Sequence, residues 1–565
     1  MPKTSTSPFL LLSLIITTCI AHAAGDTWQE PEEVQQPAAA IFPGEWQLLH
    51  ANTGVSAMHM QLLPGDFVLM FDRTDSGPSN ISLDALSPCV SRAAADCTAH
   101  SVLLDLRSNT LRPYPLATNP WCSSAALLPN GTLLQTGGFS NGDRIARLFS
   151  PSDGWLDLPD FLAVRRWYAT DILLADGRVL ILGGRRQFNF EFFPRDDVTT
   201  AQLTLFPFLE ETTDIDGENN LYPFLHLLPD GNVFAFANDR AVVFDPYNRA
   251  PLRRLPSIPG GVPRNYPSSG SSVLLPLRPE YSPSHAEVLV CGGAPRGAYR
   301  LALRNGTFVA ADRTCGRIAP TDPNPVWAME EMPVPRVMGD MVLLPTGDVL
   351  IVNGAAAGTA GWELGREAVT SPVLYSPETP LGDRFVVLAG SGVPRMYHSS
   401  ATLDTMGRVL VGGSNPHVGY VFDNVTYPTE LSLEAFLPPY LDARLDGVRP
   451  RIVAAPVEAG YGEVVHVRFE VPGGAVSGGP EEVRVAAVAP AFATHSFGMN
   501  QRVVFLAVGN VVQLDAGGGV YEAQVAAPPS PSVAPPGYYL WFVLHAGVPS
   551  SAAAWVRIRP LGAAT

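Results

Sequence analysis

The sequence predicts an all-β protein: a seven-bladed, Kelch-type β-propeller followed by a C-terminal immunoglobulin-like β-sandwich. Three observations favour this fold class. The chain has 565 residues, which is too many for a single hydrophobic core. Its 51 glycines and 54 prolines separate short apolar runs in the way that turns separate strands. A turn-centred phrase recurs about every 45 to 65 residues, close to the length of a Kelch blade.

The first 24 residues are expected to be a secretory signal peptide. Lys3 precedes a short apolar run over residues 8–20, and Ala21-His-Ala-Ala then has the pattern of a cleavage site. The apolar run is shorter than the roughly 20 residues that a membrane-spanning helix needs. We therefore expect a secreted, extracellular protein, located in the apoplast or cell wall if the source is a plant.

Composition disfavours two classes of partner. The formal charge of −16 at pH 7 repels the phosphates of nucleic acids and of anionic membranes. A hydrophobic content of 46% with 16% charged residues is typical of a well-buried globular chain and not of a disordered one. We expect no nucleic acid and no membrane as partner, a monomeric protein, and the cell-wall matrix as one candidate contact.

Seven copies of the repeated phrase predict seven blades between about residues 45 and 440. Clear copies are Leu127-Leu-Pro-Asn-Gly-Thr-Leu-Leu, Leu173-Leu-Ala-Asp-Gly-Arg-Val-Leu and Leu343-Leu-Pro-Thr-Gly-Asp-Val-Leu. Apolar pairs on both sides of an Asn-Gly or Asp-Gly turn are typical of a β-hairpin. Most copies end in a glycine pair, as Kelch blades do, which favours a propeller over a solenoid.

Beyond about residue 440 the repeat stops, and residues 447–560 are predicted to form the sandwich. Alternating or buried segments such as Val464-Val-His-Val-Arg-Phe-Glu-Val and Tyr538-Tyr-Leu-Trp-Phe-Val-Leu are separated by Gly/Pro turns. One phrase in this region, Ala493-Thr-His-Ser-Phe-Gly-Met-Asn-Gln-Arg, carries a chemically notable residue, His495. We expect the sandwich to extend the His495 loop into the propeller channel.

One position of the repeat is filled by residues of different chemistry. Cys122, Tyr168 and His398 each precede the turn glycine of their copy by nine residues, and Tyr397 lies beside His398. The innermost strand of each propeller blade lines the central channel, so equivalent positions meet at one mouth of that channel. Tyr222 occupies the neighbouring slot of copy four, so an aromatic residue there is also explained by packing.

The five cysteines that follow the signal peptide predict two disulfides. Cys89–Cys97 and Cys291–Cys315 are close pairs that should be oxidised in a secretory compartment. Cys122 is left over. It is either a small buried hydrophobe or a residue with another chemical fate, and its place in the register keeps the second option open. Four Asn-x-Ser/Thr sequons agree with secretion: Asn80, Asn130, Asn305 and Asn424.

The imidazoles of His398 and His495 and the phenols of Tyr168 and Tyr397 form a copper-site hypothesis. Nitrogen and oxygen donors of this kind are preferred by square-based Cu(II). Zinc fits less well, because its sites favour Cys, His and carboxylates, and Cys122 stands alone. Any one of these residues is more often structural; the shared register is what favours a metal site.

The motifs at these positions resemble those of the radical-copper oxidases, the glyoxal oxidase and galactose oxidase family, and especially the plant glyoxal-oxidase-like aldehyde oxidases. The motifs are Trp121-Cys122-Ser-Ser, Arg166-Trp167-Tyr168, Arg395-Met396-Tyr397-His398 and Thr494-His495-Ser496. The resemblance covers nearly the whole mature chain and implies that the sandwich is of the early-set type. It implies one copper ion bound by Tyr168, Tyr397, His398 and His495. It also implies a thioether between Cys122 and Tyr168 that carries a tyrosyl radical, with Tyr397 as axial ligand and proton acceptor.

The resemblance implies oxidation of a small aldehyde by dioxygen and water, giving a carboxylic acid and hydrogen peroxide. Cu(II) accepts only one of the two electrons that this oxidation releases, and the radical would accept the other. Two alternatives stay open: a primary-alcohol (galactose-type) oxidase, and a non-catalytic Kelch propeller that binds cell-wall polysaccharide or protein.

Arg186 is the main departure from the galactose oxidase pattern. It lies two residues after Gly183-Gly184, where galactose oxidase has a tryptophan stacked on the crosslinked tyrosine. Its presence puts galactose oxidation in doubt. Arg186 could orient a small polar aldehyde, stack on the crosslinked ring, or be a solvated charge at a blade edge.

Overall fold

The protein is described here by a computed structural model that covers residues 42–562, apart from 84–95, 196–201, 216, 280–281, 283, 473–481 and 516–518. The predicted signal peptide lies outside the described residues, and so does Cys89 of the predicted Cys89–Cys97 pair. Within the described ranges no helix is long and apolar enough to cross a membrane.

The described chain is all-β, as predicted, with strands separated by tight turns. Its α-helices are α1 (Pro207–Glu211) and α2 (Ala298–Asn305), and short 3-10 helices span Ser140–Gly142, Pro439–Leu441 and Ala443–Leu445. Cys291 and Cys315 form the predicted disulfide, which joins two neighbouring strands.

The strands between residues 45 and 437 pair into seven antiparallel sheets in the described part of the chain, with a small side hairpin on the sixth. The first strand is β1 (Glu45–His50). The first sheet contains β2 (His59–Leu63), β3 (Phe67–Phe71), β4 (Ser101–Asp105) and β5 (Thr110–Tyr114); the second contains β6 (Ser124–Leu127), β7 (Leu133–Thr136), β8 (Ala146–Ser150) and β9 (Gly154–Leu158); and the third contains β10 (Ala169–Leu173), β11 (Val179–Gly183), β12 (Asn189–Phe193) and β13 (Thr204–Leu205). The fourth contains β14 (Phe224–Leu227), β15 (Val233–Ala237), β16 (Arg240–Asp245) and β17 (Ala250–Arg254), and the fifth contains β18 (Ser271–Leu274), β19 (Val288–Cys291), β20 (Thr314–Ile318) and β21 (Ala328–Glu331). The sixth contains β22 (Asp340–Leu343), β23 (Val349–Val352), β26 (Val373–Tyr375) and β27 (Phe385–Val387), with the side hairpin β24 (Ala355–Gly358) and β25 (Gly365–Ala368), and the seventh contains β28 (Ser399–Leu403), β29 (Val409–Gly413) and β30 (Leu433–Leu437).

Two features connect these sheets to one another. The first strand of each sheet from β6 onward packs beside the first strand of the next, in the order β6, β10, β14, β18, β22 and β28, and β28 packs beside β2. The outermost position of the seventh sheet is filled by β1, which pairs with β30 from Glu45 opposite Leu437. The beginning and the end of the repeat region are therefore joined by backbone hydrogen bonds.

In five copies of the repeat, the residue nine positions before the turn glycine has an unusual backbone conformation. Cys122, Tyr168, Tyr222, Met338 and His398 all have positive φ angles, between 48° and 67°, so Tyr222 occupies the same position as the others and not a neighbouring one. A non-glycine residue in this left-handed region is uncommon and costs free energy, so the surrounding structure must hold it there. The N–H of Tyr168 donates to the Cys122 carbonyl (2.9 Å), and that of Tyr222 donates to the Tyr168 carbonyl (2.9 Å). The same left-handed conformation therefore recurs in several sheets of this chain, just ahead of the innermost strand of each.

The glycine pairs of the repeat are explained by close backbone contacts between neighbouring sheets. Gly137 has a φ of 74°, and a Cβ atom at this position would lie 2.0 Å from the carbonyl oxygen of Arg166. That carbonyl accepts a hydrogen bond from the N–H of Gly138 (2.8 Å). Only glycine allows this approach, because any side chain would collide with the backbone of the next sheet.

The C-terminal region forms two further sheets. One contains β31 (Arg451–Ala454), β33 (Val464–Glu470), β39 (Val520–Ala526) and β38 (Val508–Gln513); the other contains β32 (Glu458–Ala459), β42 (Ala554–Ile558), β40 (Gly537–His545), β34 (Val483–Ala489) and β37 (Arg502–Leu506), with β41 (Val548–Pro549) at the side of β40. In β33, buried and exposed residues alternate, as expected for a sheet with one face on a core. Trp541 is fully buried in that core.

A hairpin from this region enters the first sheet of the repeat region. Its strands are β35 (Phe492–Thr494) and β36 (Phe497–Met499), and β35 pairs antiparallel with β2, placing Thr494 opposite His59. The hairpin also packs against the first strands β6, β10, β18, β22 and β28. It therefore lies among the inner strands of the sheets, which is the placement expected for the His495 loop.

Polar side chains after the hairpin fix it to the inner strands. The Asn500 carboxamide accepts from the Leu173 N–H (2.8 Å) and donates to the carbonyls of Ala125 and Asp171 (3.2 Å each). Gln501 makes an equivalent bridge to β22, accepting from Leu343 and donating to Met341.

Removing the Asn500 bridge should destabilise the protein. Asn500→Ala leaves one backbone N–H without its partner and frees two carbonyls, so we expect the free energy of unfolding to fall by about 2 kcal/mol. Urea unfolding followed by tryptophan fluorescence would measure this. Asn510→Ala is the matched control, because Asn510 is exposed on β38 and its replacement should change stability by less than about 0.5 kcal/mol. Equal effects of the two substitutions would contradict the bridging role.

Candidate metal centre

Four chain segments meet at the inner ends of the sheets. Cys122 lies two residues before Ser124, where β6 begins, Tyr168 lies directly before β10, and Tyr397 and His398 lie directly before β28. His495 lies in the turn of the β35–β36 hairpin, also with a positive φ, of 45°. Cys122, Tyr168, His398 and His495 have this left-handed conformation, which turns their side chains away from the path of the following strand.

The structure brings the five residues singled out from the sequence into one cluster. The Cys122 sulfur lies 3.1 Å from Nε2 of His495. The sulfur and the nearest ring nitrogens of His398 and His495 all lie within 4.8 Å of one another, and all three residues are buried. The rings of Tyr397 and Tyr168 are centred 5.7 Å and 6.0 Å from that of His495.

The two imidazoles are in a state suited to bind a metal. Neither ring nitrogen of His398 has a hydrogen-bond partner among the described residues, although both are buried. In His495, Nδ1 is hydrogen-bonded to the Thr494 hydroxyl (2.6 Å), which leaves Nε2 facing the cluster. Burial lowers the pKa of each imidazole well below its usual value, and neighbouring imidazoles lower it further. Both rings are therefore neutral, with lone pairs available.

A buried ring nitrogen without a hydrogen-bond partner lowers the stability of the folded protein unless a ligand binds it. Two neutral imidazoles beside two phenols provide the nitrogen and oxygen donors that Cu(II) prefers. The residues present thus fit a copper ion, and the unpartnered nitrogens of His398 are the observation that decides this fit.

The thiol and the phenol that were predicted to react are neighbours. Cys122 is a buried free thiol whose pKa is raised well above its usual value by burial, while a hydrogen bond with Tyr168 opposes this rise. The pKa of Tyr168 is also raised by burial and by the nearby Cys122. The backbone hydrogen bond between the two residues holds their segments side by side.

A third tyrosine, Tyr266, belongs to the cluster and was missed in the sequence. Its ring stacks on that of Tyr168 with centroids 4.5 Å apart and an interplanar angle of 24°. Its hydroxyl lies 2.8 Å from that of Tyr397 and 3.3 Å from that of Tyr168. The register could not find Tyr266, because the register position of the fifth sheet is Ser269, which has a positive φ and whose carbonyl accepts from the Met338 N–H, and Tyr266 lies three residues before it.

A signal for Tyr266 was nevertheless present. Arg264-Asn265-Tyr266 repeats the Arg-x-Tyr pattern of Arg166-Trp167-Tyr168. Both arginines are fully buried, and each donates to a carbonyl of the glycine pair in its own sheet, Arg166 to Gly183 (2.7 Å) and Arg264 to Gly292 (2.5 Å). A buried arginine two residues before a tyrosine thus marks the site as well as the nine-residue spacing does.

Two other residues considered in the sequence have structural or surface roles. The Tyr222 hydroxyl donates to the Ser123 carbonyl (2.9 Å), in line with the packing interpretation. Arg186 is exposed, and the ring stacked on Tyr168 is that of Tyr266, so of the three options for Arg186 the structure does not favour stacking on Tyr168. The solvated-charge interpretation of Arg186 agrees with its exposure.

A pocket opens beside Tyr397. It has a volume of about 260 Å³ and is lined by Met338, Met396 and Tyr397 on its inner side. Its polar wall includes His417, which is hydrogen-bonded through Nδ1 to Glu363 (3.0 Å). The pocket is large enough for a small organic molecule and places it next to the Tyr397 side chain.

Two known protein families match successive parts of this sequence. A family model described as the glyoxal oxidase N-terminus matches residues 58–440. The chain belongs to the glyoxal oxidase family. A second model, the galactose oxidase-like early set domain, matches residues 449–558, so the C-terminal sandwich is of the early-set type.

Two plant aldehyde oxidases are similar to this chain over most of their length. Aldehyde oxidase GLOX1 of Arabidopsis thaliana is 44% identical over 92% of this chain and 85% of its own. Aldehyde oxidase GLOX of Vitis pseudoreticulata is 45% identical over 93% of this chain and 98% of its own. Among solved structures, a fungal alcohol oxidase in complex with copper superposes with a TM-score of 0.68 at 17% identity, covering 92% of this chain and 100% of that one. That superposition supports the shared fold.

Proposed function

We propose that this protein is a radical-copper oxidase that converts an aldehyde, water and dioxygen to a carboxylic acid and hydrogen peroxide. The observation that carries the proposal is the buried cluster of Cys122, Tyr168, Tyr397, His398 and His495, in which His398 has two unpartnered ring nitrogens. Membership of the glyoxal oxidase family and the names of the plant relatives agree with it.

Tyr168, Tyr397, His398 and His495 would hold one copper ion. When bound, the ion supplies a one-electron oxidant and a Lewis acid for the substrate oxygen. The chain's own residues do the rest. Burial of the cluster excludes water, and the Thr494 hydroxyl orients the His495 ring through Nδ1. Tyr397 lines the pocket, and as the phenolate its oxygen would accept a proton from a bound substrate and become the phenol.

The second one-electron carrier is proposed to be Tyr168, joined to Cys122 by a thioether. In forming this bond, the thiol loses its S–H hydrogen and the Tyr168 ring loses one C–H hydrogen. These two hydrogens leave as two protons and two electrons, which reduce one dioxygen to hydrogen peroxide. Support comes from the burial of Cys122 as a free thiol beside Tyr168, and from its lack of a disulfide role.

We also propose that the seven sheets close into a seven-bladed propeller over about residues 45–440, followed by the sandwich at 447–560. The succession of contacts between first strands and the pairing of β1 with β30 support closure. We further propose that residues 1–24 are removed on secretion and that the protein is extracellular. We also propose that it is a monomer and contacts the cell wall. Each of the four sequon asparagines is exposed and so open to glycosylation: Asn80, Asn130, Asn305 and Asn424.

Copper binding is expected to depend on the two histidines. Calorimetry should show one Cu(II) per chain, with greatly weakened binding in His398→Ala and His495→Ala because each removes a ligand nitrogen. Thr494→Val should weaken binding by about 10- to 100-fold, since it removes the group that orients His495. His466→Ala is the control, because His466 is exposed on β33. Unchanged affinity in His398→Ala would contradict the site.

The thioether is expected to form when copper and dioxygen are both supplied. Peptide mass spectrometry should then find the Cys122 and Tyr168 peptides joined, with a mass two hydrogens below their sum. The crosslink should be absent in Cys122→Ser and in protein produced without copper. Recovery of Cys122 as a free thiol from copper-loaded wild-type protein would contradict the proposed cofactor.

The reaction itself is tested by a peroxide-coupled assay of copper-loaded, preoxidised protein. Glyoxal, methylglyoxal and simple aldehydes should be turned over, and Tyr397→Phe should reduce kcat by about 100-fold or more because the proton acceptor is lost. His495→Ala should be inactive, and His466→Ala should equal the wild type. Turnover of galactose or benzylic alcohols without turnover of aldehydes would favour the alcohol-oxidase alternative. Full activity of Tyr397→Phe would reject the assigned role.

A further inference from the structure

Tyr266 makes three contacts with the proposed redox site that the proposed function does not use. Its ring lies nearly parallel to the Tyr168 ring, and its hydroxyl lies within hydrogen-bond distance of the hydroxyls of both Tyr168 and Tyr397. It comes from the segment before β18, in a different sheet from either of the residues that it joins.

The position of Tyr266 relative to solvent also distinguishes it. Tyr168 and Tyr397 are only 5% and 4% exposed, whereas Tyr266 is half-buried. It packs against the hydrophobic cluster that contains Tyr168 and against the one that contains Tyr397. Tyr266 thus contacts both phenols while being partly exposed itself, and its ring covers part of the Tyr168 ring.

We propose that Tyr266 is a positioning residue of the oxidase site, with two separable roles; this inference rests on the proposed function. Its hydroxyl hydrogen-bonds to the Tyr397 oxygen and holds that oxygen in the orientation in which the phenolate would accept a proton. Its ring covers the ring of Tyr168 and lengthens the life of the oxidised Tyr168. No electron or proton is transferred to Tyr266 in either role.

The hydroxyl role follows from the hydrogen-bond distances. At 2.8 Å the contact between Tyr266 and Tyr397 has the normal length of a hydrogen bond between hydroxyls. Tyr397 is buried among apolar side chains such as Met338 and Met396, which cannot hydrogen-bond to it, so its hydroxyl partners are those of Tyr266 and Tyr168. Removing the Tyr266 hydroxyl would free Tyr397 to adopt other orientations, and a misdirected acceptor lowers kcat more than it raises KM.

The ring role follows from the stacked geometry. A parallel ring at 4.5 Å leaves no room for water or a small reductant against the covered part of Tyr168. An oxidised tyrosine in a protein is lost when such molecules reach it, so removal of the covering ring should shorten its life. The ring role depends on the aromatic plane, and the hydroxyl role depends on the oxygen, so different substitutions separate them.

The test uses Tyr266→Phe, which keeps the ring and removes the hydroxyl, and Tyr266→Leu, which removes both. Tyr247→Phe and Tyr247→Leu are the matched controls, because Tyr247 is 40% exposed and belongs to the turn after β16. Each full-length protein is loaded with copper, and its thioether content is measured by mass spectrometry. Ferricyanide then removes one electron from the crosslinked tyrosine, and the decay of the radical absorbance is followed after ferricyanide is removed.

Tyr266→Phe is expected to keep the wild-type radical lifetime within about twofold and to lose about tenfold in kcat, with little change in KM. Tyr266→Leu is expected to show the same loss of kcat together with a radical lifetime shortened by about tenfold. Both Tyr247 variants should match the wild type. A wild-type kcat in Tyr266→Phe would overturn the hydroxyl role, and a wild-type lifetime in Tyr266→Leu would overturn the ring role.

Three further outcomes are distinguishable. If both Tyr266 variants fail to bind copper or to form the thioether while the wild type does both, Tyr266 is only part of the scaffold and the inference is wrong. If the wild-type protein forms no thioether and no radical, the proposed function fails, and the inference fails with it. Wild-type radical formation with unaltered Tyr266 variants would reject the inference and leave the proposed function standing.

Discussion

The site depends on backbone hydrogen bonds between left-handed residues just ahead of the innermost strands. The Tyr168 N–H donates to the Cys122 carbonyl, and the Tyr222 N–H donates to the Tyr168 carbonyl, so these three residues are held by their neighbours in adjacent sheets. A positive φ in a tyrosine or cysteine is unfavourable by itself. The bonds between sheets make it stable, and they bring side chains from distant parts of the chain to a common point.

The repeat region alone does not complete the cluster. His495 comes from the β35–β36 hairpin, which pairs with β2 and packs among the inner strands. The carboxamides of Asn500 and Gln501 anchor the chain after the hairpin to β10 and β22. A function of the C-terminal sandwich is therefore to carry one imidazole into a position that the repeated strands leave open, which links the integrity of both regions to metal binding.

Burial determines the chemistry of the cluster. Removal from water keeps both imidazoles neutral and raises the pKa of the Cys122 thiol and of the surrounding phenols. A buried group with unpartnered nitrogen atoms, such as His398, lowers stability unless a ligand satisfies it. The protein thus keeps a costly arrangement at its centre, where a bound copper ion would offset part of the cost by binding to the unpartnered nitrogens.

The sequence by itself determined the repeat, the all-β class and most of the cluster. Hairpin signals and a fixed distance to the turn glycine are local properties, so Cys122, Tyr168 and His398 could be recognised by counting residues, and the resemblance supplied His495 and the roles. Only the tertiary structure decided which aromatic ring covers Tyr168. Tyr266 lies three residues before the register position of its sheet, Arg186 is exposed to solvent, and the distance between sheets depends on packing across the whole repeat region. Contacts between residues about 100 positions apart cannot be predicted from local sequence patterns, because they arise only when the sheets are packed against one another.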